Sequence, residues 1–81
     1  MPTILRYRGL RIMIYLNDHA PPHVHVVGAD AHAKFDLFCD LGQVHFKEGY
    51  GFTMKQINDI GHFLTNHVKA LCAAWSQHHG L

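Results

Sequence analysis

The chain has little charge for its length. Aspartate, glutamate, lysine and arginine together make up 16% of its 81 residues, and the formal net charge is +1 at pH 7. Such a balance does not require a nucleic-acid partner, although a local basic face can exist within a neutral total. The low charge also indicates that another chain covers part of the surface.

Cysteine and long apolar runs are scarce as well. Cys39 and Cys72 are far apart and form no Cys-x-x-Cys motif, so we expect two reduced, mostly buried thiols rather than a disulfide framework. The longest apolar run, residues 10–16, is short and contains Arg11. It can form neither a membrane span nor a signal-peptide core, and the expected address is the cytoplasm.

Histidine, by contrast, is abundant, with nine in the chain. Two of them follow a pair of prolines, which exclude a helix and favour an extended backbone. In the His-Val-His-Val run that begins at His23, the period-two alternation of a strand places His23 and His25 on the same face. Asp18 and His19 lie in the turn just before them.

Apolar periodicity predicts an α+β fold. Alternation indicates an antiparallel meander of four strands, at residues 3–8, 10–16, 23–27 and 31–38, with a less regular fifth at 43–46. Thr53 and Gln56 form a capping-box sequence, and an apolar stripe follows at positions 57, 60, 64, 68, 71 and 75. We therefore expect one long helix over residues 53–78, with room for a kink near 65, packed on the sheet in a single two-layer domain of residues 1–81.

Alternation also separates the two faces of the sheet. The face that suits the helix stripe carries Leu10, Ile12, Ile14, Leu16, Val24, Val26, Ala31, Ala33, Phe35 and Leu37. The opposite face carries Arg11, Met13, Tyr15, His23, His25, His32, Lys34 and Asp36. Unless a bulge shifts the register, cations, imidazoles and a phenol should share one open surface.

A metal site is one use of this polar face. A His-x-His pair on a strand is a common half-site for zinc or another divalent ion. Asp18 and His19 are the nearest further ligands in the sequence, and His32 and Asp36 are alternatives on the next strand. Only the two histidines are placed together by spacing alone.

Acid–base chemistry without a metal or other cofactor is the second use. Phosphodiester cleavage of this kind needs a proton acceptor, a proton donor and a cation for the developing negative charge. His23, His25 and Tyr15 could transfer protons, whereas Lys34, Arg11 and Arg6 could bind phosphate. An ordinary solvated polar surface is the plain alternative to both uses.

Several short motifs resemble those of one family of very short bacterial proteins, known mainly as a domain of unknown function. The most specific is the D-H-x-P-P-H-V-H-V block at residues 18–26. The others are the opening Pro2-Thr3-Ile4-Leu5-Arg6, Arg11, Tyr15, Asn17, Ala33-Lys34-Phe35, Gly51-Phe52-Thr53 and Trp75. The family has no established reaction. Its motif positions are occupied here by Asp18, His19, Pro22, His23, His25 and Lys34.

The resemblance implies a partner. Such proteins are often encoded beside a second small domain of unknown function, and the pair has been proposed as a type II toxin–antitoxin module. We therefore expect first a toxin-like protein, acting as a metal-independent ribonuclease and held by a small antitoxin-like protein encoded nearby. The alternative is a metal-binding or regulatory interaction module. RNA and a second copy of the chain are further candidate partners, and a membrane is not.

Overall fold

The computed structural model describes residues 3–15 and 17–79. In chain order its elements are β1 (Thr3–Tyr7), β2 (Leu10–Met13), β3 (His23–Val27), β4 (His32–Phe38), β5 (Gln43–Tyr50), α1 (Met54–Asn66) and α2 (Val68–His79). The strands form one sheet in the order β1 to β5, and each pairs antiparallel with the next. The predicted α+β class is confirmed. Neither helix in this described part is long and apolar enough to cross a membrane.

One hydrophobic core lies between the sheet and the helices. Its buried members come from both predicted sets of apolar residues, the strand face and the helical stripe, and they are Ile12, Ile14, Val24, Val26, Ala33, Phe35, Leu37, Ile60, Leu64, Leu71 and Trp75. Leu10 and Ile57 are partly buried against them. Leu16, which belongs to the same predicted face, lies outside the described residues. The two-layer arrangement therefore follows from apolar burial on both elements.

The prediction of one long helix over residues 53–78 is slightly off, because two helices occupy this segment and are separated at His67, close to the kink expected near residue 65. The His67 backbone N–H donates to the carbonyl of Leu64, three residues back, at 3.0 Å. The Nδ1 atom of the His67 ring donates to the Phe63 carbonyl at 2.9 Å, which is the acceptor that the backbone N–H would use in a continuous helix. The apolar stripe continues across this break, so periodicity could not reveal it.

Two strands differ from their predicted lengths by three residues or more, whereas β1 and β4 are each shorter by one. β2 ends at Met13 rather than at residue 16, because the Tyr15 N–H donates to the Asp18 carboxylate instead of to a neighbouring strand. β5 extends to Tyr50 rather than ending at 46. It passes so close to β4 that a Cβ added at Gly49 would lie 2.5 Å from the carbonyl oxygen of His32. The absence of a side chain at Gly49 therefore permits the pairing of β5 with β4.

The two cysteines are not free thiols. Cys39, just after β4, forms a disulfide with Cys72 in α2, and their Cα atoms are 6.0 Å apart. The prediction of reduced thiols is wrong because a separation of 33 residues in sequence says nothing about distance in the fold. The bond attaches the turn between β4 and β5 to the second helix. A cytoplasmic address loses the support that free thiols provided.

We predict that the disulfide contributes about 4 kcal/mol to the free energy of unfolding, the amount expected for closing a loop of this size. The double variant Cys39→Ser/Cys72→Ser should therefore have a lower urea midpoint than the oxidised wild type. Reductant should lower the wild-type midpoint to the same value and leave the variant unchanged. Equal midpoints for wild type with and without reductant, together with two titratable thiols, would contradict the bond.

Candidate functional site

Asp18 is held in place by its own loop. Its Oδ2 accepts a hydrogen bond from the Tyr15 N–H at 3.1 Å, and its own N–H donates to the Tyr15 carbonyl at 3.1 Å. Further along the loop, the Pro22 carbonyl accepts from the Leu37 N–H of β4 at 2.9 Å. Both ends of the loop are therefore fastened to the sheet, and the Asp18 carboxylate lies over the start of β3.

Two histidines of β3 meet this carboxylate. The Nε2 atoms of His23 and His25 lie 3.2 and 3.3 Å from Asp18 Oδ2. The three atoms that could each bind a metal are all within 4.8 Å of one another. The side chains are largely buried, with 6%, 14% and 16% of the surfaces of His23, His25 and Asp18 exposed. The alternation that predicts neighbouring imidazoles is borne out, and Asp18 joins them from the loop.

The Nδ1 atoms of both histidines have partners on the side away from the carboxylate. His23 Nδ1 lies 2.9 Å from the Pro21 carbonyl oxygen, which can only accept, so this nitrogen carries the proton. His25 Nδ1 lies 3.0 Å from Nε2 of His32. His25 Nε2 is buried, and its contact with Asp18 Oδ2 at 3.3 Å raises the pKa of His25 but is too poorly aligned to count as a full hydrogen bond among the described residues. Trp75 Nε1 and His79 Nε2 are also buried without a partner in this part of the chain, and such nitrogens are uncommon in folded proteins.

The surroundings of Asp18 and His25 shift the pKa of each side chain towards the protonation state that can bind a metal. Burial raises the pKa of Asp18, but the Tyr15 N–H and the charges of His23 and His25 outweigh it, so that the pKa is lowered overall. Burial lowers the pKa of His25, and the negative charge of Asp18 offsets this only in part. At neutral pH the result is an ionised carboxylate beside a neutral imidazole.

The predicted open polar face is wrong for two of its members. His23 and Met13 are each only 4% exposed. The His23 ring lies 5.1 Å from the ring of Trp75, which belongs to the core, and Trp75 in turn stacks on His79 at 3.8 Å. Sequence reasoning missed this helix contact because alternation along a strand does not show what covers each face. His23 is therefore part of the packing as well as of the site.

The other residues proposed for acid–base chemistry lie at different distances from this cluster. The Tyr15 ring lies 4.5 Å from that of His25, and Lys34 is directly opposite His25 on β4. Arg11 is exposed and faces Arg6 across β1 and β2, with Val27 as its partner on β3. A phenol and an ammonium group are thus brought close to His25, whereas both arginines remain towards the β1 edge.

The remaining candidate ligands take other positions. His19 is exposed and is not among the group of three ligating atoms found in residues 3–15 and 17–79. Asp36 pairs with His23 in register, but its Oδ2 lies 4.0 Å from Lys47 Nζ. His32 contacts the far side of His25. The structure therefore selects Asp18 from the carboxylates and histidines that the sequence offered as a third ligand.

The lowered pKa of His25 predicts acid sensitivity in the metal-free protein. The unfolded state takes up a proton near pH 6.5 and the folded state only at lower pH, so stability is complete above 6.5 and falls as the pH falls through the folded pKa. Urea titrations across this range should show a smaller fall for His25→Gln than for wild type. His62→Gln, which changes an exposed histidine of α1, should keep the wild-type slope. Identical slopes in all three proteins would refute the shift.

The comparisons with known proteins identify a family and nothing beyond it. A family model described as Domain of unknown function (DUF4160) matches residues 9–76, which is most of the chain. Neither a curated protein nor a solved structure matches this chain. The resemblance to a short domain of unknown function is therefore confirmed, and the chemistry has to be argued from the site.

Proposed function

We propose that this chain, which belongs to the DUF4160 family, binds one divalent transition-metal ion through Asp18 Oδ2, His23 Nε2 and His25 Nε2. Zinc is the first candidate for the ion. The observation that carries the proposal is the convergence of three potential ligand atoms, among which His25 Nε2 is buried and has no well-aligned hydrogen-bond partner in the described part of the chain. A metal ion would satisfy all three atoms at once.

The two separations that involve Asp18 Oδ2 suit a shared ion. Zinc bonds to imidazole nitrogen and carboxylate oxygen are about 2.1 Å long, which separates adjacent ligands by about 3.0 Å in octahedral and about 3.4 Å in tetrahedral geometry. The distances from Asp18 Oδ2 to the two nitrogens, 3.2 and 3.3 Å, fall between these values. The outward hydrogen bond of His23 Nδ1 to the Pro21 carbonyl is one that metal-binding histidines usually make, and His25 Nδ1 has an outward partner in His32 Nε2.

Three protein ligands leave room in the coordination sphere. In zinc enzymes the additional position holds water or substrate, and in an interaction module a partner's side chain can occupy it. Two histidines and one carboxylate also form the ligand set of non-haem iron sites. The proposal is therefore a metal-binding module, and zinc, iron, manganese and nickel are the ions to compare.

We predict that tag-free wild-type protein holds one zinc ion per chain after dialysis against zinc, measured by elemental analysis. Asp18→Asn and His25→Ala should each weaken binding by roughly 100-fold in competition with a chromophoric chelator, because each removes a ligand. His23→Ala is a poorer test, since this buried ring also packs against Trp75.

The matched control is His62→Ala, an exposed histidine outside the cluster, which should bind as wild type does. A second control is His19→Ala, which removes a candidate ligand from the sequence analysis that is exposed in the structure. This variant should bind zinc as tightly as wild type does. Circular dichroism confirms that each variant is folded. Substoichiometric zinc in wild type, with the other three ions equally absent, would overturn the proposal, as would unchanged affinity in Asp18→Asn.

A toxin-like ribonuclease, restrained by an antitoxin-like neighbour, is the second candidate. Its support is the position of Tyr15 and Lys34 beside His25, which gives a phenol, an imidazole and a cation for cleaving a phosphodiester without a cofactor. The substrate would be RNA, the site of action the cytoplasm, and the partner a small protein encoded nearby or a second copy of the chain. Burial of His23 favours the metal proposal over this one.

For this second candidate we predict that tightly controlled expression arrests growth and that co-expression of the neighbouring gene relieves the arrest. Lys34→Ala should remove the toxicity and leave the bound metal unchanged, because Lys34 is opposite His25 but is not a ligand in the proposed site. Growth that is equal with and without the neighbour would exclude a toxin. Loss of toxicity in Asp18→Asn but not in Lys34→Ala would assign the effect to the metal site instead.

A further inference from the structure

We propose that His32 is the positioning residue of the metal site: it accepts the Nδ1 proton of His25 and so presents the bare Nε2 of His25 to the ion. This inference rests on the proposed metal-binding function. The sequence alone suggests His32 as a metal ligand. The structure gives it a different role, outside the coordination sphere.

The geometry excludes His32 as a ligand to the same ion. The two nitrogens of an imidazole point to nearly opposite sides of the ring. His32 Nε2 lies 3.0 Å from Nδ1 of His25, whereas Asp18 Oδ2 lies 3.3 Å from Nε2 of His25. His32 and the Asp18 carboxylate are therefore on opposite sides of the His25 ring. One ion could bind both of them only if the His25 ring moved out of the way.

The contact between two imidazoles can exist in two forms. In one form, His25 carries its proton on Nδ1 and donates it to His32, which leaves His25 Nε2 free to bind a metal. In the other, His32 Nε2 carries the proton and donates it to His25, and His25 Nε2 is then protonated and cannot be a ligand. Metal binding selects the first form. His23 needs no such selection, because the Pro21 carbonyl can only accept.

His32 is itself held in place by its neighbours. Its ring lies between that of His25, at 5.1 Å, and that of Tyr50, at 6.1 Å and inclined by only 29°. Tyr50 reaches this position because β5 runs close to β4 at Gly49, where no side chain would fit. Gly49 and Tyr50 thus lie on the outer side of the site, and the Tyr50 ring is stacked beside that of His32.

Two substitutions separate a hydrogen-bonding role from a packing role. His32→Phe keeps a ring against Tyr50 but removes the acceptor, and it should weaken zinc binding by about 10–100-fold, as other losses of an outer hydrogen bond do. His32→Gln places an amide oxygen near the position of Nε2 and should restore affinity to within about threefold of wild type. His45→Gln, on the exposed β5, is the matched control and should bind as wild type does.

Nitrogen-15 NMR of zinc-loaded wild-type protein gives a direct readout. The bridging proton should be attached to His25 Nδ1, with a scalar coupling across the hydrogen bond to His32 Nε2. A proton attached to His32 Nε2 in the zinc-loaded protein, or equal affinity in His32→Phe and wild type, would overturn this inference and leave the metal site standing. So would a loss of affinity that glutamine fails to restore in a folded protein. Wild-type protein that binds none of the four ions overturns the metal-binding proposal and this inference together.

Discussion

The site depends on the carboxylate of Asp18. One of its oxygens accepts the Tyr15 N–H just beyond β2 and lies within 3.3 Å of an imidazole nitrogen from each of two β3 residues. A single group therefore connects the end of one strand to the beginning of the next across an irregular loop. Its negative charge is retained because the hydrogen bond and the nearby imidazoles outweigh the effect of burial on its pKa.

The helical layer supports the same site from the other side. Trp75 belongs to the core and contacts the ring of His23, while Cys72, three residues earlier on α2, is bonded to Cys39 at the end of β4. Residues three apart lie on the same side of a helix, so the disulfide and the tryptophan both attach this side of α2 to the sheet. The position of α2 thus determines how tightly His23 is enclosed.

Periodicity predicts the features that depend on a regular alternation of side-chain direction. It does not predict a feature that depends on a single side-chain contact. The strands, both apolar faces and the pairing of His23 with His25 follow from alternation, and the capping box of Thr53 and Gln56 forms as its spacing predicts. The helix break at His67, the disulfide and the enclosure of His23 each depend on a tertiary or side-chain contact without a period. The choice of Asp18 over His19 was left open for the same reason. Adjacent residues in a loop carry no signal for which one turns inward.

Either a metal ion or an added proton could stabilise the close contacts between the Asp18 carboxylate and the two histidines. A second proton on His23 would satisfy the contact between His23 and the carboxylate, but among residues 3–15 and 17–79 it would leave His25 Nε2 buried without a well-aligned partner. Such a nitrogen costs about 1–3 kcal/mol, and burial opposes adding a proton there because it lowers the pKa of His25. A divalent ion would coordinate all three atoms and would need His25 neutral. The protonation states favoured by burial are therefore those that a metal requires, which is why the geometry supports a metal site more strongly than an ion pair.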